Sequence, residues 1–280
     1  MCDYAAVPPT TQLTEPTAFF VAEGQNLLPT VLTQGPWSPL AQHGGPVCAA
    51  LTALIETIPS LVPMQVSRFT FDLFRAVPLT KLGTETRIVR EGKRLQLVEA
   101  ALFDGNTQVA RGTAMRLREV DLGEVLDHPH RPRPEVPPFS GRGVRPRPSV
   151  ADRIGFLRAI EIERVAGRPG EGVAATSWFR ALVPLIEGQP MTALQRLAMF
   201  ADFTSASSLY LDATAYSAIN PDVTLQVLRP PSGEWICVDG RTEAGGNGIG
   251  HSRSSIYDRD GFVASASTSQ LIDRTPSPFA

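Results

Sequence analysis

Asp202 lies in the run Met199-Phe200-Ala201-Asp202-Phe203, a carboxylate set among large apolar side chains. A buried carboxylate must be paired or hydrogen-bonded, and one held beside a reacting centre can take a proton from water. Two readings are open from the residues alone: a general base, or a solvated Asp sharing a helix face with Gln195. The second stretch with chemistry in it is His43-Gly44-Gly45-Pro46. Two glycines at a helix start let its first N–H groups come close to a ligand, where they and the helix dipole would stabilise an oxyanion. Tight packing of that helix start against a sheet explains the same glycines. His43 has no second partner in view and reads as a structural side chain or a ligand contact.

Other chemistries are less well supplied. No GxSxG elbow precedes a helix, which argues against a serine hydrolase of the α/β type. Gly245-Gly246-Asn247-Gly248 lies between two strand-like runs and is a hairpin turn, not a phosphate loop. The three cysteines, Cys2, Cys48 and Cys237, are odd in number and lack CxxC spacing, so neither a disulfide framework nor a metal site is expected. Cys48 and Cys237 sit among apolar residues and read as small core side chains.

These residues must be positioned by a fold that is written twice. Arg75 closes the apolar run Phe69–Phe74 and Arg229 closes Val223–Leu228, a shift of 154 (229 − 75 = 154). The same shift carries Arg87 onto Arg241, Gly92 onto Gly246, Asp104 onto Asp258 and Val109 onto Val263. Solenoid repeats have periods of roughly 20–50 residues, so this is a domain duplication. The shift sets Cys48 against Asp202, which predicts one site per chain, in the second half.

The first half opens with short strand-like segments near Phe19–Ala22 and Leu27–Thr33. Val47–Ile55 is Ala-rich and apolar on all faces, the pattern of a buried helix, with Pro46 suited to its start and Pro59 ending the segment. Four strand-like runs come after it, Val66–Phe74, Gly83–Arg90, Arg94–Phe103 and Gln108–Leu117, separated by turn residues and therefore an antiparallel meander. Between Glu119 and Val150, His128-Pro129-His130-Arg131-Pro132-Arg133-Pro134 and Arg145-Pro146-Arg147-Pro148 read as a semi-rigid polyproline linker, its arginines solvated. The second half repeats the order: strands at Phe156–Arg164 and Ala174–Val183, a helix at Thr192–Leu211, then strands near Asn220–Leu228, Glu234–Thr242, Ile249–Tyr257 and Phe262–Ile272. The divisions are residues 1–118, a linker at 119–150, and 151–280.

Apolar residues at 42% and charged residues at 19% fit an ordinary globular protein, and a net charge of −2 gives no electrostatic case for nucleic acid or an anionic membrane. No apolar run approaches the roughly 20 residues of a membrane span, and Met1-Cys2-Asp3-Tyr4 lacks the basic-then-apolar pattern of a signal peptide. The expected compartment is the cytoplasm.

An apolar helix wrapped by an antiparallel meander, twice over, is an α+β double hot-dog. His43-Gly44-Gly45-Pro46-Val47, Phe74-Arg75-x-x-Pro78, Ala201-Asp202-Phe203 and Leu228-Arg229-Pro230-Pro231, in this order and spacing, resemble the acyl-CoA thioesterase II (TesB-like) family, in particular its actinobacterial thioesterase-like branch. The resemblance implies hydrolysis of fatty acyl-CoA to fatty acid and CoA by a water held among an Asp, a Thr and a Gln of the second hot-dog, with no cofactor. The Asp carries over to Asp202. The Thr position falls on Asn220 and the Gln position on Thr268, with Gln270 two residues on and on the same strand face. His43, Gly44 and Gly45 become the expected oxyanion and substrate contacts, acyl-CoA the expected partner, and a homodimer or higher homo-oligomer the expected assembly. Two alternatives stay open: a non-catalytic acyl-CoA or fatty-acid binding double hot-dog, which the two substituted positions would suit, and a hot-dog enoyl-CoA hydratase, for which Asp202 lacks a closely following His.

Overall fold

The structure, a computed structural model, describes residues 15–123, 134–151, 153–167, 174–207, 211–212 and 215–274. Cys2 and the linker residues 124–133 lie outside these. In the first half a hairpin, β1 (Phe20–Glu23) and β2 (Asn26–Pro29), precedes helix α1 (Gly44–Glu56) and strands β3 (Met64–Leu73), β4 (Leu82–Arg90), β5 (Leu95–Asp104) and β6 (Thr107–Arg118). Two short helices, α2 (Pro148–Ala151) and α3 (Gly155–Arg158), lead into the hairpin β7 (Ile160–Ala166) and β8 (Ala175–Ala181). Helices α4 (Ala193–Ala201) and α5 (Phe203–Ser207) come next. Strands β9 (Ser217–Ile219), β10 (Asp222–Val227), β11 (Ile236–Ala244), β12 (Ile249–Asp258) and β13 (Gly261–Asp273) complete the order.

The strands form one continuous antiparallel sheet in the order β1-β2-β4-β5-β6-β3-β10-β13-β12-β11-β8-β7, with β9 pairing β13. The halves join where β3 meets β10, in the register Phe69↔Leu225 and Phe71↔Val223. Phe69, Phe71, Val223 and Leu225 are fully buried, so the seam lies in the core. The result is the double hot-dog: two helix-plus-meander halves with their sheets side by side. The 154-residue shift holds closely in the meanders, where β4 and β5 (82–90 and 95–104) map onto β11 and β12 (236–244 and 249–258).

Helix α1 is buried along nearly its whole length, from Gly45 to Ala53 and at Ile55, as its apolar composition requires. It sits so close to the sheet that a Cβ on Gly112 would come within 3.1 Å of Leu51 and Phe71. Helices α1 and α4 pack antiparallel against each other: a Cβ on Gly45, at the start of α1, would fall 2.6 Å from the Met199 carbonyl near the end of α4. The buried hydroxyl of Thr52 is satisfied one turn back, donating to the Cys48 carbonyl at 2.9 Å.

Three expectations are corrected. Val31–Thr33 is a turn of 3-10 helix, capped by the Thr30 hydroxyl. The strand expected over Phe156–Arg164 begins only at Ile160, because the chain first turns inward to bury Phe156 against Phe19 and His43. The helix expected over Thr192–Leu211 breaks at Asp202, where the Ser205 hydroxyl donates to the Asp202 carbonyl at 3.0 Å; residues 208–210 are outside the described ones. No helix among the described residues is long and apolar enough to cross a membrane.

Candidate active site

His43 is the N-cap of α1, with its Nδ1 3.1 Å from the Gly45 N–H. The helix start is held from outside by the His43 N–H, which donates to the Thr33 carbonyl at 2.7 Å. Asp202, the C-cap of α4, is 3% exposed, which excludes the solvated-face reading. Its Oδ2 is 2.9 Å from His43 Nδ1, and its Oδ1 accepts from Asn220 Nδ2 at 2.7 Å. Asn220 lies between β9 and β10, so one carboxylate is gripped by groups from both halves of the chain.

The His43 Nδ1 contacts are mutually exclusive, because a ring nitrogen either carries a proton or accepts one. With the proton between Nδ1 and Asp202, the Gly45 N–H is released from the histidine. That N–H then belongs to the unpaired first turn of α1, at the positive end of the helix dipole. Gly44 is what lets the carboxylate reach this helix end: a Cβ there would lie 2.6 Å from Asp202 Oδ1.

His43, Gly44, Asp202 and Asn220 line one cavity of about 180 Å³, together with Pro36, Trp37, Ser205, Ala206 and Ala218. Two rings pack on His43: Phe156 is 4.5 Å and Phe203 5.4 Å from its ring, centroid to centroid. Cys48 lies near enough to feel the site. Burial pushes its thiol well above the ordinary value and the charge of Asp202 pushes it further, so it stays a protonated core side chain.

Thr268 and Gln270 are elsewhere. Both lie on β13, 1% and 3% exposed, and neither lines this cavity. Gln270 Nε2 donates to Ser252 Oγ at 2.8 Å and makes a long 3.5 Å contact to the carbonyl of Ser205, which does line it. Thr268 Oγ1 and Gln270 Oε1 are buried without a hydrogen-bond partner among the described residues. Among those residues no group of three His, Cys, Asp or Glu side chains is arranged to hold a metal.

The structure also revises the pairing of Asp202 with Cys48. The helices do not keep the strand offset: their N-caps are His43 and Thr192, a difference of 149 (192 − 43 = 149). Across the antiparallel helix pair, the acid that meets the start of α4 is Glu56, the last residue of α1. It accepts from Thr192 Oγ1 at 2.9 Å and from Gln195 Nε2 at 2.8 Å. Strand alignment hid this pair; the signals in the sequence were the acid ending the first helix and the Thr-x-x-Gln that caps the second.

The sequence model of the acyl-CoA thioesterase N-terminal domain matches residues 33–117, and that of the C-terminal domain matches residues 124–271. The chain belongs to the acyl-CoA thioesterase family and is a thioester hydrolase. Among solved structures, a hot-dog protein of Alicyclobacillus acidocaldarius superposes with a TM-score of 0.68 at 13% identity, covering 91% of this chain and 96% of that one. The TesB protein of Mycobacterium avium subspecies paratuberculosis gives 0.65 at 13% identity, covering 92% and 96%. The acyl-CoA thioesterase II TesB2 of Mycobacterium marinum gives 0.62 at 15%, covering 88% and 96%. No curated protein matches the chain at a significant level.

Proposed function

We propose that this protein hydrolyses fatty acyl-CoA, and that Asp202 activates the water. The observation that carries the reading is the buried Asp202 carboxylate, fixed by His43 and Asn220 at the start of α1 inside a small cavity. Water donates a proton to Asp202, and the resulting hydroxide adds to the thioester carbonyl carbon. Negative charge then develops on the carbonyl oxygen, facing the first-turn N–H groups of α1, of which Gly44 and Gly45 can contribute and Pro46 cannot. As the C–S bond breaks, Asp202 returns its proton to the departing sulfur, giving free acid and CoA. Asn220 donates to Asp202 and keeps its own carbonyl oxygen as an acceptor for the water. Gln270 acts as a positioning residue through the Ser205 carbonyl, and Thr268 lies on the same strand face.

The domain division at 1–118, 119–150 and 151–280, one site per chain, cytoplasmic work and association into a homodimer or higher assembly belong to the same reading; the matched halves and the family membership support it. The test is thiol release from acyl-CoA thioesters of increasing chain length. Turnover above the buffer rate is expected. Acyl-CoA binding by calorimetry with no thiol release would replace the enzyme with a binding protein.

A further inference from the structure

The linker ahead of the second half is laid firmly across the sheet edge. Trp178 Nε1 donates to the Pro138 carbonyl at 2.8 Å, and the Phe139 ring packs tilted against that of Trp178 with centroids 4.7 Å apart. The Glu163 carboxylate accepts the N–H groups of Ser140 and Arg142 at 2.6 and 2.9 Å. Val144 and Ile162 exchange both backbone hydrogen bonds, at 3.0 and 2.9 Å. A Cβ on Gly143 would run into the Trp235 ring at 2.2 Å, so only glycine lets the chain pass there. Arg145-Pro146-Arg147-Pro148, the next stretch of chain, is therefore a fixed wall, its two cations set by flanking prolines.

That wall closes a groove of about 540 Å³ whose apolar surface includes Leu157, Ile162, Phe179 and Phe203 and whose charged lining is Arg145, Arg147 and Arg164. No carboxylate of the described residues lines it. Arg145 and Arg147 are exposed, and neither is ion-paired among the described residues. In a chain of net charge −2, Arg145 and Arg147 are a local excess of positive charge beside an apolar floor. The groove abuts the candidate active site: Phe203 is next to Asp202 in sequence, and Ala206 lines both cavities.

We propose that this groove receives the CoA end of the substrate, with Arg145 and Arg147 contacting its phosphates. The inference rests on the thioesterase reading above for the placement of the thioester at Asp202. An unsubstituted acyl chain has no use for cations, whereas CoA joins an aliphatic and aromatic body to a diphosphate and a 3′-phosphate, the combination this lining complements. A long-chain acyl group with a distal carboxylate is the other source of the same chemistry.

The experiment is calorimetry of the parent, of R145Q/R147Q and of R145K/R147K, each with CoA, with pantetheine and with a long-chain α,ω-dicarboxylic acid. The parent is expected to bind CoA at least about tenfold more tightly than pantetheine, with the ratio falling toward one in the Gln pair and largely kept in the Lys pair. Added salt should weaken CoA binding and not pantetheine binding. An unchanged ratio in R145Q/R147Q overturns the proposal, as does a loss confined to the dicarboxylic acid, which would make the groove the acyl subsite. Thiol release by the same proteins separates the two claims. A collapsed ratio without hydrolysis sinks the enzyme reading alone, and hydrolysis with an unchanged ratio sinks the groove alone.

Discussion

The two ends of the α1–α4 helix pair hold similar parts, and in the proposed mechanism only one of them does chemistry. At each end a carboxylate from the close of one helix meets the N-terminus of the other: Asp202 against His43 and Gly44, Glu56 against Thr192 and Gln195. Each acid therefore gains from the opposing helix dipole, worth about 0.3–1 kcal/mol at a surface and more when partly buried. At the Glu56 end, Thr192 and Gln195 also bind each other in a reciprocal capping box, so the donors that reach the acid belong to a closed network. Arg116 seals that end further, donating to the Ile55 and Ile58 carbonyls at 2.6 and 2.7 Å. At the Asp202 end Gly44 lets the carboxylate come close to the helix start, and both line a cavity of about 180 Å³. The duplication supplied one scaffold, and what separates the two ends is the acid's setting: Asp202 is buried against a cavity, whereas Glu56 is partly exposed and tied into a capping network.

The comparison breaks most severely at Asp202→Asn. A neutral amide cannot take the water's proton, so turnover should fall by about 10²- to 10⁴-fold. Steady-state thiol release measures it, and an unchanged melting temperature would show that the fold survives.

The matched strand ends come next. Arg229 makes two 2.6 Å hydrogen bonds to the fully buried Asp258, whereas its counterpart Arg75 is exposed and Asp104 instead accepts from Thr80. Arg229→Ala strands a buried charge and should cost about 3 kcal/mol in denaturant unfolding, while Arg75→Ala should change stability by less than about 0.5 kcal/mol. Burial pushes the Asp258 carboxyl up, but the Arg229 contact, the N–H groups of Ser232 and Asp260 and the Arg229 charge together bring it below its ordinary value. A depressed carboxyl stabilises the fold above its unfolded pKa and loses that contribution as pH falls through the folded one. The parent should therefore lose more stability than Arg229→Ala on acidification below the ordinary carboxylate range.

Gly44→Ala sharpens the role of space. The added methyl would stand 2.6 Å from Asp202 Oδ1, and displacing that oxygen by a fraction of its radius should cost up to about 10² in turnover. Activity close to the parent's would mean that the carboxylate position is not critical.

Glu56→Gln should have the smallest effect on catalysis, leaving turnover within about twofold of the parent because it acts at the other end of the helix pair. Burial raises the Glu56 carboxyl, opposed by hydrogen bonds from Thr192 and Gln195 and by the charge of Arg116. A raised carboxyl stabilises the fold when protonated, and that contribution fades as pH rises from the ordinary value through the folded one. The Gln variant should show a flatter melting temperature across that range.

The fold was legible in the sequence because the meander strands kept their spacing after duplication, so the offset that linked Arg75 to Arg229 also placed β4 and β5 on β11 and β12. The helices were less legible. Their ends are set by caps and by glycines that meet a partner helix, which strand periodicity does not record. For the same reason the strand offset sets Cys48 against Asp202, whereas the acid at the matching helix end is Glu56. Asp202 and His43 could be singled out by residue type and Asn220 by the family resemblance, but that they meet is a tertiary fact spanning both halves. Thr268 and Gln270 share a strand face as alternation predicts, yet that face lies under α5 and away from the cavity.

The most direct test of the central claim is thiol release from one acyl-CoA by the parent, Asp202→Asn and Glu56→Gln at equal concentration. Loss of nearly all turnover in the first variant and near-parental turnover in the second is the predicted result. Parental turnover in Asp202→Asn, or an equal loss in both, would contradict the claim that the chain does its chemistry at only one of its two helix-end acids.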